Sequence, residues 1–155
     1  MSSKKLAGII VGCIIVVTSI VAPATLGSNP PKQVTDYSTL LHHLRNSGAF
    51  IVEEGEIPRY SFFDIEGRRV TVNENTIQVY EYANATAMES EASCVSTDGF
   101  GITKERGDMG MHTEVSWIGL PHFYKAGRII VIYIGDNDSI ISLLENAFGK
   151  QFAGM

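Results

Sequence analysis

The sequence has few of the residues on which several classes of protein depend. Two cysteines among 155 residues exclude a small domain framed by disulfides. Twelve Lys and Arg against 17 Asp and Glu give a net charge of −5. This balance argues against a nucleic-acid binder, because such proteins need a basic face to displace counterions from phosphates. The sequence also has neither the GxxxxGK[ST] pattern of a P-loop nor the GxSxG turn of an α/β-hydrolase.

What is present is typical of a folded domain with an appendage. Apolar residues make up 45% of the chain and charged residues 19%, a composition that excludes a disordered protein. A chain of this length suits one domain and leaves little room for a second.

The appendage is the uncharged, apolar stretch of residues 6–24, whose only polar side chains are Thr18 and Ser19. A helix rises about 1.5 Å per residue, so this stretch nearly matches a hydrocarbon core of roughly 30 Å. Lys4 and Lys5 precede it, and positive charges favour the cytoplasmic side. We interpret residues 1–5 as cytoplasmic and residues 6–24 as an uncleaved, single-pass anchor in the cell membrane that places the rest of the chain outside the cytoplasm.

Two alternatives remain open for this stretch. Residues 22–24 (APA) have the small-x-small pattern of a signal-peptidase site, which favours a cleaved signal peptide and a secreted domain. Residues 10–13 (IVGC) resemble a bacterial lipobox, which favours a lipid anchor on Cys13, although apolar sequence continues beyond this cysteine. All three interpretations imply an extracytoplasmic domain that is tethered to a membrane or released from it.

Residues 25–35 read as a linker, because the adjacent Pro30 and Pro31 favour an extended backbone and cannot continue a helix. The folded domain is expected at residues 36–155. Apolar residues at helical spacing predict helices that begin at Asp36 and Asn84 and a third that begins near residue 137 and ends at Gly149.

The remaining sequence predicts strands. A short strand at 49–52 is followed by an acidic turn at 53–56 and a three-stranded meander at 60–65, 68–72 and 76–82. The Gly-rich stretch 96–111 is expected to be a loop, with further strands at 114–118, 122–125 and 128–134. The apolar run of the last strand is typical of a central strand covered on both faces. The fold class is therefore α+β: an antiparallel sheet, made of a meander plus a second hairpin, with helices packed on it.

Several segments resemble a known group of proteins. They are PHFYKAGRIIVIYIGD at 121–136, the closing GKQFAG at 149–154, and IQVYEY at 77–82 followed by an Ala-rich acidic helix. Together they resemble small bacterial membrane-anchored or lipoprotein-like proteins of unassigned function, over residues 37–154. The position of Cys13 inside a longer apolar segment and the length of the 99–112 loop depart from that group. The resemblance implies a location and a fold, and no activity.

Residues that often carry chemistry have simpler explanations here. His42 and His43 are adjacent on a predicted helix, so they point about 100° apart and cannot share a metal ion. The glutamates of residues 53–56 lie in a predicted exposed turn, and residues 136–147 lack the central Gly and final Glu of a calcium loop. Cys94 is expected to be a small core residue. We expect no catalytic residues, no metal and no cofactor.

One segment combines aromatic and basic residues as binding hot spots do. The candidate partner-binding residues are Trp117, His122, Tyr124, Lys125 and Arg128. Strand alternation is expected to put His122 and Tyr124 on one face and Phe123 and Lys125 on the other. The competing interpretation is structural, with Trp117 and Phe123 in the core and the cations beside a hairpin turn.

The sequence therefore favours a membrane-tethered, non-enzymatic extracytoplasmic domain that binds an envelope component or protein. One alternative is a small hydrolase or ligand-binding enzyme that uses His122 together with an acidic residue under the Gly-rich loop. Another is a structural envelope protein that forms homodimers through its open sheet face.

Overall fold

The computed structural model describes residues 34–59, 62–106 and 109–155. The predicted membrane segment 6–24, with Cys13, and the linker up to residue 33 lie outside the described residues. In the part that is described, no helix has the length and apolar character needed to cross a membrane.

The described residues form three helices, each with a side-chain cap at its N-terminus. They are α1 (Tyr37–Asn46), α2 (Ala85–Ala92) and α3 (Asp138–Phe148). Asp36 and Asn84 accept hydrogen bonds from the first turns of α1 and α2, as their positions in the sequence predict. Asn137 caps α3 in the same way, and this helix ends at Gly149. Helix α2 ends at Ala92, and Val95 beyond it forms an isolated bridge to Ile102.

The described residues also contain eight strands, which form a sheet and a separate hairpin. They are β1 (Ile51–Ile57), β2 (Gly67–Val72), β3 (Asn75–Glu81), β4 (Gly101–Arg106), β5 (Met109–Glu114), β6 (Pro121–Ala126), β7 (Ile129–Ile134) and β8 (Ala153–Gly154). The sheet has the order β1-β2-β3-β7-β6-β8, and every neighbouring pair is antiparallel. Strands β4 and β5 pair with each other. The predicted α+β class with an antiparallel sheet is confirmed.

The first strand of the meander differs from the prediction. It is β1, which includes the acidic segment predicted as a turn, and residues 62–65 form bends rather than a strand. Phe62 and Phe63 are both buried in the same core, whereas a strand would direct adjacent side chains to opposite faces. An edge strand tolerates glutamates because its outer side faces solvent.

The Gly-rich stretch 96–111 was expected to be a loop, and this expectation is wrong over most of its length. Strand β4 begins at Gly101, and β5 continues to Glu114, where the predicted strand 114–118 was expected to begin. Gly101 pairs with Glu114 at the open end of this hairpin. Ile102 is buried, while His112, Thr113 and Glu114 are exposed, so the hairpin lacks the regular alternation that identifies strands in a sequence.

The sheet separates two apolar cores. Helices α1 and α3 cover one face, and the core there includes Leu40, Leu44, Val70, Val131 and Ile140. Helix α2, the β4–β5 hairpin and residues 62–65 cover the other face, where the core includes Phe63, Tyr80, Phe123, Ile130 and Ile132. Strand β7 contributes to both cores, as its uninterrupted apolar sequence predicts.

The chain enters the domain at one end of the β6–β7 hairpin. The carbonyl of Thr35 accepts a hydrogen bond from the backbone N–H of Arg128 in the β6–β7 turn, at 2.9 Å. At the other end of the same two strands, the carbonyl of Leu120 accepts from the N–H of Gly135. Six strand residues separate the two ends by about 20 Å. The segment preceding Val34 therefore joins the domain at the end opposite Leu120.

Candidate functional site

His122 is buried on the face covered by α1 and α3, with 5% of its surface exposed. Its Nδ1 lies 2.7 Å from Oε1 of Gln151, and its Nε2 lies 3.0 Å from the carbonyl oxygen of Gly135. The ring also stacks on Tyr133. The hydrolase hypothesis requires a carboxylate within hydrogen-bond distance of His122, but the partners here are an amide and a backbone carbonyl. Through these two hydrogen bonds His122 joins Gln151, in the segment before β8, to the sheet.

Tyr124 lies on the same face as His122 and is fully buried. Its ring packs at 6.0 Å from that of Phe148 of α3. Among the described residues, its hydroxyl has no hydrogen-bond partner. Burial, with a smaller contribution from the negative charge of Glu145, raises the pKa of Tyr124 to about 12. The phenol is therefore neutral at physiological pH and inaccessible to a partner.

Lys125 and Arg128 lie elsewhere and are already paired. The ammonium of Lys125 forms an ion pair with Glu89 of α2 and lies 5.1 Å from the centre of the Phe152 ring. The guanidinium of Arg128 lies 2.9 Å from Oε1 of Glu81. These ion pairs join β6 to α2 and the β6–β7 turn to β3.

Trp117 is half-buried and fixed in place. Its indole N–H donates to the carbonyl of Gly99 at 2.8 Å, and its ring packs against Phe62 and Phe123. The structure thus distributes the five predicted partner-binding residues over two faces and one turn. His122 and Tyr124 share one face, Trp117 and Lys125 lie towards the other, and Arg128 is in the β6–β7 turn.

The residues that follow Trp117 form an exposed apolar loop. Ile118 is fully exposed and Leu120 is 43% exposed. Trp117 holds one side of this loop through its indole, and the Leu120 carbonyl holds the other through Gly135. We call residues 117–120 the apolar loop. The nearby residues Asp136 and Asp138, which follow β7, are exposed carboxylates.

The β4–β5 hairpin borders a second polar region. A cavity of about 600 Å³ is lined by Ser96, Asp98, Phe100, Gly101, His112, Glu114, Val115 and Ser116. Ser96 donates to Asp98, and together with the backbone N–H of Phe100 this bond holds the pKa of Asp98 below its usual value. His112 is bonded to Thr103. No hydrogen bond links Ser96 to His112 within the described residues, so the cavity contains no Ser–His nucleophile pair.

Other candidates from the sequence have structural explanations. Cys94 is half-buried, and its Sγ donates to the carbonyl of Ser90 at 3.3 Å. His42 is exposed and bonded to Asn46. Within the residues that the structure covers, no group of three or more His, Cys, Asp or Glu side chains is placed to hold a metal ion.

Comparison of the chain with protein-family models, with curated proteins and with solved structures gives no match. The functional interpretation therefore depends on the residues themselves. The apolar loop was missed in the sequence because Ile118 ends the predicted strand 114–118 and Leu120 lies between it and the predicted strand 122–125. The signal that identifies it is an apolar pair separated by Gly119 and followed by Pro121, which is a loop pattern.

Proposed function

We propose that this protein is a non-enzymatic binding domain, held at the outer side of the cell membrane by residues 6–24, that contacts an envelope protein or component through the apolar loop. The observation that carries this proposal is a fully exposed Ile118 on a loop fixed at both sides. Its position, at the end of the β6–β7 hairpin opposite the point of chain entry, supports contact with a target away from the tether.

The fixed geometry of the loop favours binding. Ordering a flexible loop on association costs free energy, and a loop already held in one conformation avoids part of that cost. The indole of Trp117 and the carbonyl of Leu120 supply the two attachments. In this interpretation Trp117 positions the contact residues without itself meeting the partner.

The charges near the loop narrow the choice of target. Asp136 and Asp138 are exposed at this end of the sheet, and Glu114 precedes the loop. Carboxylates are repelled by anionic lipid headgroups and attracted to basic protein surfaces. We therefore favour a protein target whose apolar contact surface is bordered by Lys or Arg.

A photo-crosslinking residue at position 118, in the full chain in its native membrane, tests the proposed contact. Position 111 is the matched control, because Met111 is 50% exposed on the β4–β5 hairpin. We expect a defined crosslinked partner from position 118 and none from position 111. Ile118→Asp should then weaken binding of the purified partner by about tenfold or more, as the loss of a hot-spot residue does. No crosslink at 118, or the same product from both positions, would contradict the proposal.

Two further measurements test the tether. Ser38→Cys introduces an exposed thiol on α1, and a membrane-impermeant maleimide should label it in intact cells. Labelling only after lysis would contradict the extracytoplasmic location. Mass spectrometry of the mature N-terminus distinguishes an intact anchor from cleavage after Ala24 or a lipid on Cys13.

A further inference from the structure

Among the residues that the structure describes, strand β1 pairs with β2 alone and forms an open edge of the six-stranded sheet. It is the outermost strand, and six of its seven residues are half-buried or exposed. The backbone N–H and C=O groups on the outer side of such a strand are free to pair with another extended segment. The opposite edge is the two-residue strand β8, which offers far less backbone.

One face of this edge carries a row of exposed side chains. Val52 pairs with Thr71, which lies between the core residues Val70 and Val72 and therefore points away from α1 and α3. Glu54 shares this face, because it accepts a hydrogen bond from the Thr71 hydroxyl. Phe50, two residues before Val52, continues the row. Phe50 is 70% exposed and Val52 is 41% exposed.

The backbone at the start of this row is held in place by hydrogen bonds within the domain. The backbone N–H of Phe50 donates to Oδ1 of Asn73 at 2.8 Å, and its carbonyl accepts from the N–H of Asn73 at 2.9 Å. The aromatic ring therefore projects into solvent from an anchored backbone. Aromatic side chains, phenylalanine included, are enriched in the cores of protein–protein interfaces.

The charges on and near β1 indicate which kind of chain could pair with this edge. Glu53, Glu54 and Glu56 all lie on the outermost strand, and one of them, Glu53, is paired with Arg45 of α1 at 3.6 Å. Pairing with a second copy through β1 would bring both sets of glutamates into one interface, and like charges repel. Arg68 and Arg69 lie on β2, one strand further in and about 10 Å from a docked segment. Arg68 is also paired with Glu81. The edge therefore favours an extended segment with basic side chains.

We propose that β1 accepts an extended peptide segment of a partner protein as an added strand, over residues 50–54, with apolar side chains against Phe50 and Val52 and a Lys or Arg beside Glu54. The irregular register between Glu53 and Gly55 limits the regular part of the edge to this segment. The site lies at the opposite edge of the sheet from the apolar loop, so it is independent of the contact proposed above.

The test uses the full chain in zwitterionic detergent and a fluorescent peptide with Val, Val and Lys at alternate positions. A control peptide carries Glu in place of Lys. We expect saturable binding of the first peptide by fluorescence anisotropy, weakened by salt, and binding of the second peptide that is weaker by about two- to fivefold. Phe50→Ser should weaken binding by about tenfold and Glu54→Lys by about two- to fivefold, while Met111→Ser leaves it unchanged.

Phe50→Ser and Glu54→Lys change exposed side chains, so unaltered circular dichroism and thermal unfolding would show that they fold. The absence of saturable binding by the unchanged protein would overturn the proposal. So would equal binding of both peptides, or equal affinity in Phe50→Ser and Met111→Ser. Sedimentation supplies a further outcome: self-association that Phe50→Ser abolishes would identify a second copy as the occupant and overturn it as well.

Discussion

The imidazole of His122 stacks on the ring of Tyr133, with centroids 5.9 Å apart and planes inclined by 20°. The two residues are directly paired across β6 and β7. From this position His122 reaches Gln151 with one ring nitrogen and the Gly135 carbonyl with the other. A residue that looks chemically promising in the sequence thus connects β7, β6 and the C-terminal segment of the domain.

His122→Phe should therefore reduce stability rather than remove an activity. Phenylalanine keeps the stacking on Tyr133 but leaves the Gly135 carbonyl and the Gln151 amide without the imidazole. We expect a loss of about 1–3 kcal/mol in the free energy of unfolding. Urea unfolding followed by the fluorescence of Trp117, the single tryptophan, measures it. Gln151→Ala, at a half-buried position, should cost less, and equal stability of His122→Phe and the unchanged chain would contradict this role.

Comparison of Tyr124 with Tyr133 measures how much a hydrogen bond contributes to stability when it is made by a buried tyrosine hydroxyl. The Tyr124 hydroxyl has no partner among the described residues, whereas the Tyr133 hydroxyl accepts from the N–H of Asn137 and donates to Asn75. Tyr124→Phe should be neutral or stabilising, and Tyr133→Phe should cost about 1 kcal/mol. The same urea titration compares them, and a larger loss for Tyr124→Phe would contradict the assignment.

Tyr124→Phe should also change how the stability of the domain depends on pH in alkaline solution. Burial raises the pKa of this phenol from 10.0 to about 12, so the folded state favours the neutral form. The stability that the neutral Tyr124 phenol contributes to the folded state is fully present below pH 10 and is lost as the pH rises from 10 to 12. The stability of Tyr124→Phe should therefore fall less steeply in that range than that of the unchanged chain. Tyr37 and Tyr82, whose pKa values are also raised by burial, continue to contribute in both proteins.

The elements that the sequence predicted correctly are those with strong local signals. Asp36 and Asn84 identify helix starts through their caps, and the apolar run of β7 identifies a strand buried on both faces. The helices and the β6–β7 hairpin follow from such patterns because neighbouring residues supply most of the information.

The parts that were missed depend on contacts distant in the sequence. Strand β1 contains three glutamates and a glycine, so only its pairing with β2 defines it as a strand. The bends at 62–65 exist because Phe62 and Phe63 fill one core. The burial of Tyr124 has the same kind of cause, because its ring packs against Phe148 of α3, which follows it in the chain.

Gly127 should be essential to the attachment of the entering chain. Its φ is +55°, and a Cβ there would lie 2.2 Å from the Thr35 carbonyl oxygen. Gly48 has a φ of +83°, and a Cβ added there would have no atom within 4 Å. Substitution of Gly48 therefore measures the cost of backbone strain without a steric clash. We expect Gly48→Ala to lower the free energy of unfolding by about 1 kcal/mol. Gly127→Ala should lower it by clearly more, because the added Cβ must also displace Thr35. Thermal unfolding of the two variants measures the difference, and equal losses would mean that the entering chain adjusts without cost.

The capping carboxylate of Asp36 should make the stability of the domain sensitive to acid. The backbone N–H and the hydroxyl of Thr39 both donate to it, and these bonds hold the pKa of Asp36 below its ordinary value of 3.8. The folded state therefore favours the ionised form. The stability that the ionised Asp36 carboxylate contributes is present above the pKa of the unfolded state, about 4. It is lost as the pH falls through the lower pKa of the folded state.

Asp36→Ala should cost about 1 kcal/mol at pH 7, in line with the loss of other N-caps, and this difference should shrink below pH 4. Asp36→Asn is the matched control, because an amide oxygen still accepts from Thr39 but does not titrate. Its stability should stay near that of the unchanged chain at pH 7 and decline less as acid is added. Urea unfolding at pH 7 and at pH 3 compares the three proteins. An Asp36→Ala deficit that is equally large at both values would show that the cap acts through its shape and not through its charge.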